Sequence, residues 1–515
     1  MSLFNKKQSQ LDYVQIVAEK YGVSYKKAKR RMDRAMDKYG IDYATFVANG
    51  MFILNERRWK SAKVQYNRKI NASINALEAA GLTKKDAEKV IKRIRKKTSY
   101  KLSLNEYVAY EIYNMSFKDA RKFAKLLQRS NELKYKIRQA LDEYFLGENV
   151  NEEYNVDSKA FSKDVEELYK ISALTITKEY REKYSGISSS EKEIIDMYVS
   201  FKLFQTTGME YKLYHFDEIS LLERTKFLAN NVKNDTLRAL PQGKERDLYR
   251  KFCDMTDIKI KTYRAFKEFY RRECIVVKSK SDYEEFVKFA QNHPRFIKKP
   301  LTASQGNGVE LFESNGDLEK LFKEVRTRNK VILEEVISQN EIVAQFNKDS
   351  INTFRIITFN DGKNVEPVWG YFRTGRAGSI VDNAGAGGIL ASIDCKKGIV
   401  CSDGGDERGN RYEVHPETGL KYKGFEIPNW EDLKNISITL SSGFPEAAVI
   451  GWDFAFNDKG EWVIVEVNCM PEFLFQGAAD LGVRKEFMDL IAKRKQNIEE
   501  HNDGNLIEVR TPIKV

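Results

Sequence analysis

At 515 residues, with 42% hydrophobic and 12% aromatic positions, the chain has room for about two to four domains with filled cores, which excludes a disordered or low-complexity protein. Lys+Arg (87) exceed Asp+Glu (75) to give +12, a balance that favours a polyanionic partner such as nucleotide, nucleic acid, anionic polymer or anionic membrane surface, although a basic protein without such a partner has the same charge. Five cysteines without a CxxC and four isolated histidines argue against a zinc site, a disulfide scaffold and a Cys/His nucleophile pair.

The opening MSLFNKKQSQLDYV has no apolar signal core and no stretch approaches 18 uncharged apolar residues, so the expectation is a cytoplasmic protein without a transmembrane segment. Residues 1–240 read as helical, with no proline before Pro241 and with basic stretches on amphipathic periods. Three segments align without a gap: Tyr43–Trp59, Tyr107–Phe123 and Tyr211–Phe227. Each carries aromatics at its first, fourth and last positions, an apolar residue in the middle (Met51, Met115, Ile219) and a basic residue just before the end (Arg58, Lys122, Lys226). The pattern predicts three related helical hairpins packed by aromatic stripes, each preceded by a helix capped near Ser24, Thr83 or Ser190. Their basic residues, Lys84, Lys85, Arg93, Arg95 and Lys97 among them, could instead line a contact with an anionic polymer.

A second domain, residues 241–480, begins where the texture changes. Helices continue through RDLYRKFCDM and TYRAFKEFYRRE. ECIVV and PRFIKKP then read as strands around a helix that Ser281 can cap. Residues 481–515 read as one amphipathic helix and a polar tail. The fold class is α+β, with an all-α N-terminal repeat region.

Four stretches in the second domain carry chemistry. In FIKKPLTASQGNGVELFE, a strand ending in Lys298-Lys299-Pro300 enters a loop of small residues, Thr302 to Gly308, whose N–H groups can wrap phosphate oxygens. It is neither a Walker loop nor a dinucleotide fingerprint, and a plain surface turn has the same composition. In VILEEVISQNE, an apolar strand ends in acids that can meet a planar base and ribose hydroxyls, or can be solvated. In INTFRIITF, Arg355 is a charge among apolar residues and suits bidentate contact with phosphate or carboxylate. Arg373, Arg376, Asn383 and Gly385 to Gly388 follow in a flexible polar loop.

The fourth stretch, GWDFAFNDKGEWVIVEVNCMP, reads as a hairpin. Pairing Phe456 with Glu461 sets Asp453 opposite Ile464 and one diagonal step from Glu466, with Asp453, Ile464, Glu466 and Asn468 on one face. Hard oxygen ligands of this kind suit Mg²⁺. A solvated face carrying ordinary acids remains the alternative.

The order of these pieces, Lys299-Pro, Gly306-x-Gly308-Val, Leu333-Glu-Glu, Asn352-Thr-Phe-Arg355, Asn383-x-x-x-Gly-Gly, Gly451-Trp-Asp453 and Val465-Glu-Val-Asn468, resembles the ATP-grasp superfamily. Within it, the chain looks most like the sugar-transfer-associated group related to α-L-glutamate ligases, over about residues 245–480. The resemblance implies two α+β subdomains clasping ATP, and a carboxylate-amine ligase that forms an acyl phosphate in cell-surface polysaccharide or envelope-precursor synthesis. Its substrates would be a carboxylate and an amine, sugar- or peptide-linked. It also implies that Lys251 and Lys299 contact the nucleotide, that Gln305, Gly306 and Gly308 form the lid, and that Glu334, Glu335 and Val336 form the adenine hinge. Glu341 would take the ribose, and Asp453, Glu466 and Asn468 would hold two Mg²⁺, or Mn²⁺ in their place. Arg355 and Arg373 would stabilise the transferred phosphoryl group, and Asn383 would face the acceptor. Two other readings stay open: a sugar phosphotransferase, or a basic scaffold whose nucleotide domain only senses ATP.

Overall fold

The computed structural model describes residues 117–147 and 154–502, apart from 189, 303–307, 327–329, 377, 379–381 and 383–386, and also residues 26, 29 and 30. The chain divides into two compact units, Met1–Ala140 with Asn151–Val199, and Leu141–Val150 with Ser200–Val515. The unit that holds the sheets therefore begins upstream of the boundary expected at residue 240.

In the first unit, α1 (Phe117–Leu146) buries Leu133, Ile137 and Ala140 at helical spacing. Helix α2 (Lys159–Thr175) starts at Ser158, whose side chain accepts from Phe161 N, and buries Phe161, Leu168 and Ile171. Helices α3 (Lys178–Tyr184) and α4 (Glu191–Phe204) follow, the latter running across the unit boundary. The first two aromatic repeats up to residue 116, and the basic stretch around Lys84–Lys97, lie outside the described residues.

The third repeat is described. Two short helices, α5 (Gly208–Leu213) and α6 (Leu221–Arg224), flank a turn in which His215 sits at φ 51°. Its aromatics are core: Tyr211, Tyr214 and Phe227 are buried around Phe216, with Tyr214 and Phe227 stacked at 5.1 Å. The spacing recorded an aromatic cluster, and the turn between the aromatics carried no periodic signal to show it.

Helices α7 (Asn230–Ala239), α8 (Gly243–Thr256), α9 (Lys259–Ala265) and α10 (Lys267–Tyr270) lead into two antiparallel sheets. The smaller sheet has the order β1-β4-β2-β3, from β1 (Cys274–Val277), β2 (Arg295–Pro300), β3 (Glu310–Glu313) and β4 (Val331–Glu335). Helices α11 (Tyr283–Asn292) and α12 (Leu318–Val325) cover one face of it, with Phe286, Phe289, Phe296 and Phe322 in its core. A capping box of Ser279 and Asp282, rather than Ser281, begins the helical run into α11, because a turn of 3₁₀ helix precedes it.

The larger sheet contains β5 (Thr353–Asn360), β6 (Val365–Thr374), β7 (Ile389–Asp394), β11 (Val449–Phe456) and β12 (Trp462–Asn468), with the short strands β8 (Ile399–Val400), β9 (Gly404–Gly405) and β10 (Arg411–Tyr412) at the β7 edge. Alternation sends Phe354 and Ile356 of β5, Phe372 of β6, and Trp452, Phe454 and Phe456 of β11 into one core. The other face of β5, β6 and β11 carries Arg355, Tyr371, Arg373 and Asp453 at one end and buried Ile357, Phe359 and Trp369 toward the other. The C-terminal helix (Arg484–Asn502) is anchored through buried Arg494, which donates to the carbonyls of Asn360 and Pro445 at 2.9 and 2.8 Å.

Phe354 is fully buried, stacks on Phe372 at 4.5 Å and meets Trp462 edge-on at 5.1 Å. Phe354→Ala should therefore destabilise the chain by about 3–5 kcal/mol, read as a lower denaturation midpoint with an unchanged denaturant dependence.

Candidate functional site

The polar face of the larger sheet is assembled by register. Tyr371 on β6 pairs with Arg355 on β5, Arg355 with Asp453 on β11, and Asp453 with Glu466 on β12, so the four form one row across four strands. One row further, Gly451 pairs with Asn468. The hairpin register differs from the expectation. A bulge after Asp453 shifts the pairing, so Glu466 lies directly across from Asp453 and Ile464 pairs with Phe454 on the apolar side. Turn composition sets where a hairpin turns, but an extra residue in one strand leaves no mark in the alternation.

Asp453 is fully buried. Its carboxylate accepts from Arg355 Nε and Nη2 and, at 2.9 Å, from Arg373 Nη2. Burial pushes the Asp453 carboxyl up, and the Arg355 and Arg373 guanidiniums outweigh it, holding it below the usual carboxylate range. Arg355 also donates to Tyr371 Oη at 3.1 Å and stands behind Asp453. Arg373 reaches the cleft and donates to Thr353 Oγ1 at 2.9 and 2.8 Å, with Asp382 3.6 Å away. Burial pushes the Asp382 carboxyl up despite Arg373.

Between the two sheets lies a cavity of about 390 Å³. From the smaller sheet it is lined by Lys299, Glu334, Glu335 and Val336, and from the larger by Arg373, Asp453 and Glu466. Lys299 donates to Glu334 at 2.9 Å, while Lys298, one step along β2, pairs with Glu310 at 2.9 Å away from the cavity lining. Glu334 also accepts from Arg272 at 3.0 Å, and Arg272 donates to the Ile464 carbonyl, so one guanidinium ties the two sheets together. Burial raises the Glu334 carboxyl, but Lys299 and Arg272 lower it further, to about 2.

Several expected residues lie elsewhere. Lys251 is exposed on α8, whose buried side carries Tyr249, Phe252 and Met255, and Glu341 is exposed at the start of a four-residue helix. Neither lines the cavity; nor does Arg355, behind Asp453. Gln305, Gly306 and Asn383 lie outside the described residues. Gly308 sits at φ 74° against Pro300, where a Cβ would come within 2.9 Å of the ring, so the loop leaves β2 only with glycine there. Lys259, Arg272 and Arg295 line the cavity and were missed. Lys259 Nζ lies 3.6 Å from Glu466. None of the three belongs to a motif, and a lysine opening a helix carries no sign of which partner it will face.

A divalent cation fits the donors present. Asp453, Glu466 and Asn468 put hard oxygens on one face, and Glu466 is 39% exposed. The three N–H donors on Asp453 leave it about one further acceptor position. The buried Asn468 Nδ2 has no hydrogen-bond partner, so no partner on that atom fixes the amide. Among the described residues no three His, Cys, Asp or Glu side chains form a metal cluster.

Arg272→Met leaves Glu334 with one cation and should destabilise by about 3–5 kcal/mol. The native Glu334 pKa lies below its ordinary 4.5, so the wild-type triad contributes fully above pH 4.5 and loses its contribution as pH falls toward about 2. Unfolding of the variant against pH should show a smaller loss below pH 4.5, complete at a higher pH than in the wild type.

Residues 244–490 match the family model described as sugar-transfer associated ATP-grasp. No curated protein matches the chain. Among solved structures, the ATP-grasp ligase PsnB complexed with minimal precursor is 12% identical with a TM-score of 0.31, over 48% of this chain and 62% of that one. VanG D-Ala:D-Ser ligase from Enterococcus faecalis is 12% identical with a TM-score of 0.32, over 47% and 62%. D-Alanine-D-alanine ligase from Helicobacter pylori is 14% identical with a TM-score of 0.29, over 47% and 61%. The chain spans about three fifths of the length of these structures, and likeness at this level is too distant to carry a substrate or an activity. Over residues 244–490 the chain is similar to the sugar-transfer associated ATP-grasp family.

Proposed function

We propose that the chain is an ATP- and Mg²⁺-dependent carboxylate-amine ligase. The observation that carries the reading is the cavity itself, lined by Lys259 of α9, Lys299 of the smaller sheet and Arg373 of the larger together with Asp453 and Glu466. Such a place suits a polyphosphate bound together with a divalent cation.

Lys299, held by Glu334, would meet the nucleotide phosphates, with Lys259 as a second cation in place of the exposed Lys251. The edge of β4 at Glu335 and Val336 would hold the base, and the loop ending at Gly308 would cover the phosphates. Asp453, Glu466 and Asn468 would hold Mg²⁺, which when bound would screen the phosphates and polarise the transferred phosphoryl group. Arg373 would offset the charge that builds up as a substrate carboxylate approaches the γ-phosphate, since two anions must meet there. Arg355 would act one layer behind, fixing Asp453. Attack of the carboxylate on the γ-phosphorus forms an acyl phosphate and ADP; an amine then displaces phosphate to give an amide. Positioning and charge neutralisation suffice, and no protein nucleophile takes part. The family's association with sugar transfer supports a carboxylate or amine carried on a cell-surface polysaccharide or envelope precursor.

With ATP, Mg²⁺ and candidate carboxylates and amines, the full chain should release ADP and phosphate in step with amide. Glu466→Gln should lower turnover by at least about 100-fold while shifting the melting temperature little, because the side chain is part-exposed. A stable phosphorylated sugar without amide would assign a phosphotransferase instead, and failure to turn over ATP with any acceptor would count against an enzyme.

A further inference from the structure

We propose that Lys233 is a positioning residue for the Glu466–Asn468 end of the site, acting through the Pro471 carbonyl, and that helix α7 is part of the working site although it precedes the family-matched segment. This rests on the metal reading above.

Lys233 is completely buried. Its Nζ donates to Pro471 O and lies 4.7 Å from the centroid of the Phe473 ring. Burial pulls its pKa down to about 7; Glu472 and Glu210 draw it back up, while Arg355 and Arg238 lower it. Burying an ammonium is unfavourable, so a demand for volume alone would be met by an apolar side chain. What lysine adds is a donor that reaches one particular carbonyl.

That carbonyl lies three residues beyond Asn468. The Pro471 ring packs on Gly451, where a Cβ would come within 2.5 Å of Pro471 Cβ, and Gly451 is the cross-strand partner of Asn468. The turn that Lys233 holds is thus pressed against the backbone opposite Asn468, and its position sets how β12 ends.

Neighbouring ties run the same way. Asn230 Oδ1 accepts from Phe473 N at 3.1 Å, and Asn230 N in turn donates to buried Glu210 at 2.7 Å. Gln476, fully buried, donates to Tyr214 Oη at 3.1 Å and Leu228 O at 3.0 Å and accepts from Leu228 N at 2.9 Å. Residues 471–476 are therefore gripped by residues 214–233. Outer groups that orient metal ligands typically account for about 10–100-fold in metal affinity.

The test titrates Mg²⁺ into the full chain at saturating AMP-PNP, by calorimetry. Lys233→Met should raise the half-saturating Mg²⁺ concentration by about tenfold or more, with metal-free AMP-PNP affinity unchanged. A folded Lys233→Met whose Mg²⁺ requirement matches wild type, whatever its melting temperature, overturns the proposal, because a structural role alone moves only stability. If Lys233→Met does not fold, Asn230→Ala decides: it cuts the adjacent tether to Phe473 and should shift the Mg²⁺ requirement in the same direction, and no shift overturns the proposal. A wild-type chain that binds no AMP-PNP in the presence of Mg²⁺ overturns the nucleotide reading and this proposal with it.

Discussion

The site depends on one buried carboxylate, Asp453, held between two guanidiniums. An isolated charge at zero exposure would be neutralised or would unfold the sheet around it. Arg355 directly across on β5 and Arg373 reaching over from β6, two strands away, make the charge tolerable. They also lock three strands in register, since a slip of one residue in β5 would send Arg355 into the aromatic core and Phe354 or Ile356 toward Asp453. The strength of this arrangement lies in specificity more than in net stability, because well-packed apolar residues can replace a buried ion pair without loss.

The smaller sheet repeats the same arithmetic. Glu334 is buried with Lys299 and Arg272, again one acid with two cations. Each cluster sets two cations around one buried acid, and the two lie on opposite walls of a single cavity. This arrangement was invisible in the overall charge of the chain. It arises because each buried acid fixes a cation that would otherwise be free to turn toward solvent. Arg272, bonded to both Glu334 and the Ile464 carbonyl, couples one wall to the other.

Residues 200–240 belong to the compact unit that carries both sheets. Their aromatics were legible as a repeat, yet Tyr214 and Phe227 serve as packing around a turn, and Tyr214, Leu228, Asn230 and Lys233 hold the segment that follows β12. A repeat pattern reports which residues are buried without reporting against what. Here the partner is more than 200 residues away in sequence.

By itself the sequence determined β1, β2 and β4 of the smaller sheet, the hairpin that carries Asp453, Glu466 and Asn468, and the order of motifs that resembles an ATP-grasp segment, because alternation, turn composition and motif spacing are local properties. The tertiary structure alone decided that Asp453 faces Glu466 directly, since a bulge is set by pairing, and that Lys259 rather than Lys251 reaches the cleft, since helix packing selects the face. It alone paired Glu334 with Arg272 and Asp453 with Arg373, contacts between residues 62 and 80 apart. Charge pairing at that separation leaves no periodic trace, and only the folded chain brings the partners together.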